Sequence, residues 1–293
     1  MNVPGGGTQS FPNCSAALDQ RRELSLLNPA VGQYYGYLDY VTDAGWQNYN
    51  GLLLSAQRRA GHGIAISANY TLSTCRGLIS QGDGPLNVAT GYMIPISMIN
   101  PPSDAEKQKV YDREKGYCTN WRRHIFNGTA TVASPEFKGA AMRALASDWR
   151  LSGVYRISSG APLTVSTGND RALSGIQTGT QRPDQVLDNP YGDGTINNWL
   201  NAKAFAQPAV GTYGNAGRTA YFGPGRQTVD LSLVRQFSLT AQHKIEARVE
   251  AFNAFNWFVK GNPVTNLSSS SFGRIQTLGA DPRVMQFALK YLF

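Results

Sequence analysis

Charge is scarce in this chain: 16% of its 293 residues are Asp, Glu, Lys or Arg, where about a quarter is usual for a soluble domain. Long apolar runs are missing too. No run of about 18 apolar residues occurs and the mean hydropathy is −0.31, which excludes transmembrane helices. Strands that cross a membrane stay open, because alternating faces cancel in any hydropathy average. Histidine is limited to His62, His124 and His243, in separate segments, and no H-E-x-x-H, G-x-S-x-G or phosphate-loop pattern occurs. The chain therefore reads as non-enzymatic, with no cofactor and no metal. Asp184, Asp188, Asn189 and Asp193 offer oxygen ligands but lack the regular spacing of a calcium loop. A basic region followed by an apolar core is absent at the N-terminus, which begins in a Gly/Pro-rich loop. The expectation is the C-terminal part of a longer exported protein. The net charge of +8 is spread over scattered Arg pairs at 21/22, 58/59 and 122/123, with no Lys/Arg-dense helix and no RNA motif, so nucleic acid is not an expected partner.

What is plentiful is glycine, at 31, with 14 Tyr and 12 Phe, a composition that suits strands and loops. The C-terminal stretch Pro282 to Phe293 alternates: Met285, Phe287, Leu289, Tyr291 and Phe293 share one face, with Gln286, Ala288 and Lys290 on the other. At about 3.3 Å per residue it is long enough to cross a bilayer when tilted. Its ending resembles the C-terminal signal read by the barrel-assembly machinery, carried by Phe287, Leu289, Tyr291 and Phe293. An edge strand of a soluble sandwich that happens to end in Phe is the alternative. Further alternating segments run over residues 49–59, 63–73, 121–133, 148–158, 227–239 and 243–252, with an eighth over 33–42 less secure. In the first pair Leu52, Leu54, Ala56, Ile64, Ile66, Ala68 and Tyr70 all carry even numbers. An odd connection, residues 60–62, then sets Leu52 opposite Tyr70 and Leu54 opposite Ala68. In the 243–252 segment Ile245, Ala247, Val249 and Ala251 alternate with Lys244, Glu246, Arg248 and Glu250. These four charges face bulk water in a sandwich and a polar lumen in a barrel.

Connections alternate between short (60–62, 134–147, 240–242) and long (74–120, 159–226 and the loop before Pro282). Outer-membrane barrels have short periplasmic turns and long extracellular loops, whereas a sandwich has no reason to gather its long loops at one end. The expected fold class is all-β: an antiparallel transmembrane β-barrel segment of seven or eight long strands, open and raw-edged if isolated, with long extracellular loops. Residues 1–48 read as an extracellular loop with a hairpin and residues 49–293 as the C-terminal part of the barrel.

The segments Y-N-G-L-L-L-S-A-Q-R-R (49–59), A-N-Y-T-L-S-T-C (68–75), G-Y-C-T-N-W-R-R-H-I-F-N (116–127), D-W-R-L-S-G-V-Y-R-I-S-S-G-A-P-L-T-V (148–165), F-G-P-G-R-Q-T-V-D-L-S-L (222–233), E-A-F-N-A-F-N (250–256) and the run from 271 to 293 resemble the C-terminal barrel of TonB-dependent outer-membrane receptors. The similarity is to the Oar-like group, which carries a carboxypeptidase-regulatory-like domain. That resemblance implies a barrel plugged by an N-terminal domain and energised by the TonB complex. The plug, the TonB box and most of the barrel are absent from these residues, so the chain is expected to supply wall and ligand-capture loops. A surface adhesin or polymer-binding barrel without import is the alternative.

Cys75 and Cys118 flank the 74–120 loop at neighbouring strand ends in an exported chain, so they are disulfide candidates, with two free thiols as the other outcome. Cys14 has no evident mate. Tyr49, Tyr70, Trp121, Trp149, Tyr155 and Tyr291 are candidates for aromatic girdles. Expected partners are outer-membrane lipid, the N-terminal plug of the full-length protein, the TonB complex and the barrel-assembly machinery. The expected location is the outer membrane of a Gram-negative bacterium.

Overall fold

The computed structural model describes residues 23–35, 46–61, 63–78, 104–172, 181–240 and 242–293. Seven long strands form one antiparallel sheet: β1 (Trp46–Gly61), β2 (Ile64–Leu78), β3 (His124–Ala133), β4 (Trp149–Ser158), β5 (Arg226–Ser238), β6 (Lys244–Phe252) and β7 (Val284–Leu292). They lie side by side in chain order, as a meander. The short strand Gly116–Tyr117 pairs with the end of β2 and makes eight in all. β1 and β7 are the two edges and the sheet is open. No helix among the described residues is long and apolar enough to cross a membrane.

The register explains why these sequences alternate. Ile64, Val132, Leu151, Leu233, Val249 and Phe287 stand in one row across β2 to β7, and Ile66, Ala130, Gly153, Leu231, Ala251 and Met285 in the next. One face of the whole sheet is therefore apolar, and no layer of the described residues covers it. Phe287 is 71% exposed and Leu289 76%, while Glu246 and Val234 on the opposite face are 7% and 6% exposed. This is inverted relative to a water-soluble sheet, whose apolar face is the covered one.

The first hairpin corrects the expected register. Leu52 faces Leu72, Leu54 faces Tyr70 and Ala56 faces Ala68, a slip of two residues from the pairing expected of a connection over 60–62. β1 runs on to Gly61, which pairs with Ile64, and a bulge between Arg58 and Gly61 absorbs the extra residue. The slip is even, so every side chain keeps its expected face. Gly63, at φ +80, takes the left-handed conformation the tight turn needs. The strand expected over 33–42 does not begin: residues 29–32 are helical and 33–34 turn, and residues 36–42 lie outside the described residues, as do Cys14 and His62.

At one end of the sheet lie the turn residue Gly63, residues 134–148 with the helix Ala140–Ala146, and residues 239–240 and 242–243. At the other end lie the described parts of the long loops, residues 104–123, 159–172, 181–225 and 253–283. The buried core of the chain sits here, in the loops. Val165, Leu200, Ala204, Phe205, Ala216, Tyr221 and Phe272 pack together, with Phe205 edge-on to both Tyr221 (5.2 Å between centroids) and Phe272 (5.6 Å).

Candidate functional site

Two surfaces carry the polar chemistry: the cap of long loops and the polar face of the sheet. The cap is built from residues far apart in sequence. Ser166 N donates to Thr265 O and Leu267 N to Ser166 O, at 2.9 and 2.8 Å, while Trp199 N donates to Gly273 O and Ile275 N to Ile196 O, at 2.8 and 2.7 Å. These bonds tie the 159–225 loop to the 253–283 loop as an irregular sheet would. Gly273 sits at φ +75 with the Leu200 carbonyl 2.1 Å from where a Cβ would stand, so this crossing admits only glycine.

The third loop is locked by charge. The helix Asp104–Glu114 ends on Glu114, whose carboxylate accepts a two-pronged bond from Arg182: Nη1 to Oε2 at 2.9 Å and Nη2 to Oε1 at 3.0 Å. Both side chains are buried. Arg182 Nε and the second N–H of Nη2 reach the Ala216 and Arg113 carbonyls at 2.8 and 3.0 Å, so four of its five donors are paired. Burial alone would raise the Glu114 carboxyl, but the bonds and charge of Arg182, then those of Arg113, outweigh it and hold the group below its usual range. Arg218, also buried, donates to Glu114 O at 3.2 Å, and burial lowers its value to about 10. Burial likewise pushes the Tyr221 phenol up to about 12.

Cys75 and Cys118 are bonded, with Cα atoms 5.5 Å apart, tying the segment just before Trp121 to the end of β2. Trp121 lies buried on this disulfide and donates its indole N–H to Ser73 Oγ at 3.0 Å. It is thus a core residue, not a girdle residue as expected. Tyr49 also departs from the expected girdle, since it shares the face of Cys75 and not that of Leu52. Tyr70 and Tyr291 do stand on the apolar face, each stacked on a histidine: Tyr70 OH lies 2.8 Å from His124 Nδ1 and Tyr291 OH 2.7 Å from His243 Nδ1. Trp149 stands there as well, 5.0 Å from the Arg235 guanidinium, and Tyr155 is in the middle of the sheet against Phe126.

On the polar face, β6 carries the four alternating charges. Glu246 binds Arg248 Nη2 at 2.7 Å, Gln236 Nε2 at 3.0 Å and Arg150 at 3.9 Å, and Arg248 lies 3.7 Å from Glu250. Lys244 sits at the strand start opposite Leu292 and Ser238. Further along, Arg156 pairs with Asp230 at 2.7 Å.

Reasoning from sequence missed Asn253. It follows β6 at φ +47, is buried, receives Trp257 N at 3.0 Å and donates to the Trp257 and Asp281 carbonyls at 2.9 and 3.1 Å. Its own N–H goes to Asp230 at 3.0 Å. Asn256, at φ +53, takes Arg283 N at 3.0 Å. The pair, spaced N-x-x-N just past an alternating segment, was the available signal, since asparagine tolerates this backbone region. Asn189 and Asp193 each accept a backbone N–H two residues on, Asp184 accepts that of Asn215 from across the loop, and no group of three or more His, Cys, Asp or Glu side chains converges among the described residues.

Residues 2–286 match the family model described as outer membrane beta barrel domain. No curated protein and no solved structure matches the chain.

Proposed function

The chain belongs to the outer membrane β-barrel domain family, and from that premise we propose that it forms wall and ligand-capture mouth of a TonB-dependent transporter. Its place is the outer membrane of a Gram-negative bacterium. The observation that carries the transport reading is the paired network of Arg150, Glu246, Arg248 and Glu250 on the polar face. Long charged side chains that pair along and across strands suit a wide wet lumen; a narrow closed barrel has little room for them. In this reading the network, with Lys244, meets the N-terminal plug of the full-length protein, and the cap of three loops is the surface that first meets ligand. The C-terminal strand, with Phe287, Leu289, Tyr291 and Phe293 on its outward face, is the segment offered to the barrel-assembly machinery.

A second reading is a surface adhesin or polymer-binding barrel without import. The packed core of the cap favours it, because a rigid surface suits holding a partner. The two separate in one experiment: a cysteine replacing Ser232 on the polar face of the full-length protein is labelled by a membrane-impermeant maleimide added outside intact cells. Transport predicts that labelling accelerates when the inner-membrane gradient is energised and slows when it is collapsed. An unchanged rate would leave the adhesin reading and overturn the transporter.

A further inference from the structure

The connection between β3 and β4 is built more heavily than its neighbours at the same end of the sheet. Among the described residues there, only residues 134–148 contain a helix, Ala140–Ala146. The base of the connection is pinned: Ser134 N donates to Trp149 O at 2.8 Å, Trp149 N to Ser134 Oγ at 3.0 Å, and Phe137 N to the buried Ser147 Oγ at 3.2 Å. The helix itself reads A-A-M-R-A-L-A, apolar at every position but Arg143, and none of its residues is buried. Met142 is 51% exposed and Leu145 70%. So short a helix is marginal in water without a packed face, and one that is apolar nearly all round belongs in an apolar setting. The described residues offer it none.

Its position supplies one. Trp149 and Arg235 stand opposite each other on β4 and β5, both on the apolar face of the sheet. Trp149 Nε1 donates to Leu145 O at 2.9 Å and Arg235 Nη2 donates to Ala144 O, so the end of the helix leans over the outward side of the wall and not over the lumen. The last four carbonyls of a helix have no partner within it, and backbone groups that leave water must be satisfied by protein. Two of the four are filled here by side chains of the wall. The Arg235 guanidinium lies 5.0 Å from the ring centroid of Trp149 and 4.6 Å from that of Phe237, and its Nε is buried with no hydrogen-bond partner among the described residues. An arginine packed between rings beside a tryptophan, at the last rows of an apolar face, marks the level where hydrocarbon gives way to water. Met142 lies three residues before Leu145 and Ala141 four, so the three share one side of the helix. Arg143, opposite, turns back to the Phe137 and Lys138 carbonyls at 3.3 and 3.1 Å and leaves that side free.

We propose that the helix Ala140–Ala146 is an interfacial helix lying in the plane of the periplasmic leaflet, with Met142 and Leu145 among phospholipid acyl chains and Lys138 and Arg143 on the water side. Outer-membrane barrels turn their short connections to the periplasm. The apolar side of the helix continues the bare face of β4 and β5, and this continuity selects lipid as its occupant over a periplasmic protein. Apolar residues on one side and basic ones on the other are the pattern of helices that lie in a membrane surface. Seated there, the helix is an element set across the strand ends that holds this part of the wall at a fixed depth, which a bare turn does not do. The proposal rests on the barrel and not on import, so it holds for a transporter and an adhesin alike.

The test uses the full-length protein in native outer-membrane vesicles. A diazirine-bearing amino acid in place of Leu145 is photolysed and its adduct identified by mass. Phospholipid is the expected product, and the same group in place of the exposed Glu136, outside the helix, is expected to give no lipid adduct. A protein adduct at position 145, whether a second copy of this chain or another envelope protein, overturns the proposal, as do the water adduct alone and equal lipid labelling at both positions. The unaltered protein gives a second reading. Met142 is expected to be oxidised by hydrogen peroxide as slowly as Met285 on the outward face of β7, and oxidation at the rate of free methionine overturns the proposal even where the labelled variant fails to assemble. Neither readout depends on the inner-membrane gradient, so the import reading and this one fail separately.

Discussion

The sheet and the cap are built on opposite plans. In the sheet, alternate residues divide between an exposed apolar face and a partly covered polar one, and the strands meet only through ladders between chain neighbours. In the cap, hydrophobic side chains from two loops meet in a closed core and the third loop is held by a disulfide and a buried ion pair. The sheet takes its solvent from the bilayer, so its apolar side chains gain nothing from burying one another. The cap stands in water and must bury its own. One chain thus follows membrane rules and globular rules in adjoining segments, and the boundary lies at the upper strand ends.

The largest expected contrast is between two phenylalanines. Phe272→Ala empties a site in the cap core and is expected to cost about 3–5 kcal/mol, read as faster proteolysis and hydrogen exchange over residues 196–222. Phe287→Ala on the outward face of β7 is expected to cost much less, because a lipid tail fills the space. Equal costs would erase the distinction between the two regions. Glu114→Ala leaves Arg182 buried without its carboxylate and is expected to loosen the cap by about 3–5 kcal/mol, leaving the sheet amides protected.

The same pair gives the cap an acid limit. The folded Glu114 carboxyl is depressed below its ordinary 4.5, so its contribution is fully present above that value and is lost as pH falls through the folded value. Cap protection factors, which correct exchange for its intrinsic slowing in acid, should therefore fall on acidification and, in Glu114→Gln, be low already at neutral pH. A third contrast lies within β5: Leu231→Lys, in mid-sheet on the apolar face, is expected to cost about 2–4 kcal/mol, and Ser232→Lys close to nothing. Urea unfolding of the refolded protein in lipid vesicles reads both. Smallest is Asn253→Ala, which loses buried hydrogen bonds and strains a left-handed backbone for about 1–3 kcal/mol, seen as increased exchange at the start of β7.

The two regions were also unequally legible. Each of the seven strands showed itself as a two-residue alternation, because each strand has two different solvents and the chain records them locally. The register of the first hairpin did not, since β1 runs on to Gly61 and a one-residue bulge between Arg58 and Gly61 follows, and the two together shift the pairing by two and leave every face unchanged. The cap left almost no local trace. Val165, Leu200 and Phe272 come from loops rich in Gly, Asn and Pro, and only tertiary contact makes them a core. The helix Asp104–Glu114, sequence D-A-E-K-Q-K-V-Y-D-R-E, has hardly an apolar face to announce it. Trp121 read as an interfacial aromatic because tryptophan serves both places; the disulfide beside it decides. The charges of β6 read equally as a wet lumen or a soluble surface until the opposite face was seen to be bare.

The central claim is that the bare apolar face meets hydrocarbon and the polar face meets water. Spin labels placed singly at Leu231, Val249, Phe287, Ser232 and Glu250 of the intact protein, in native outer-membrane vesicles, test it directly. The first three should collide with oxygen and be shielded from a water-soluble nickel chelate, and the last two should show the reverse. Equal access of the chelate to both sets would contradict the account.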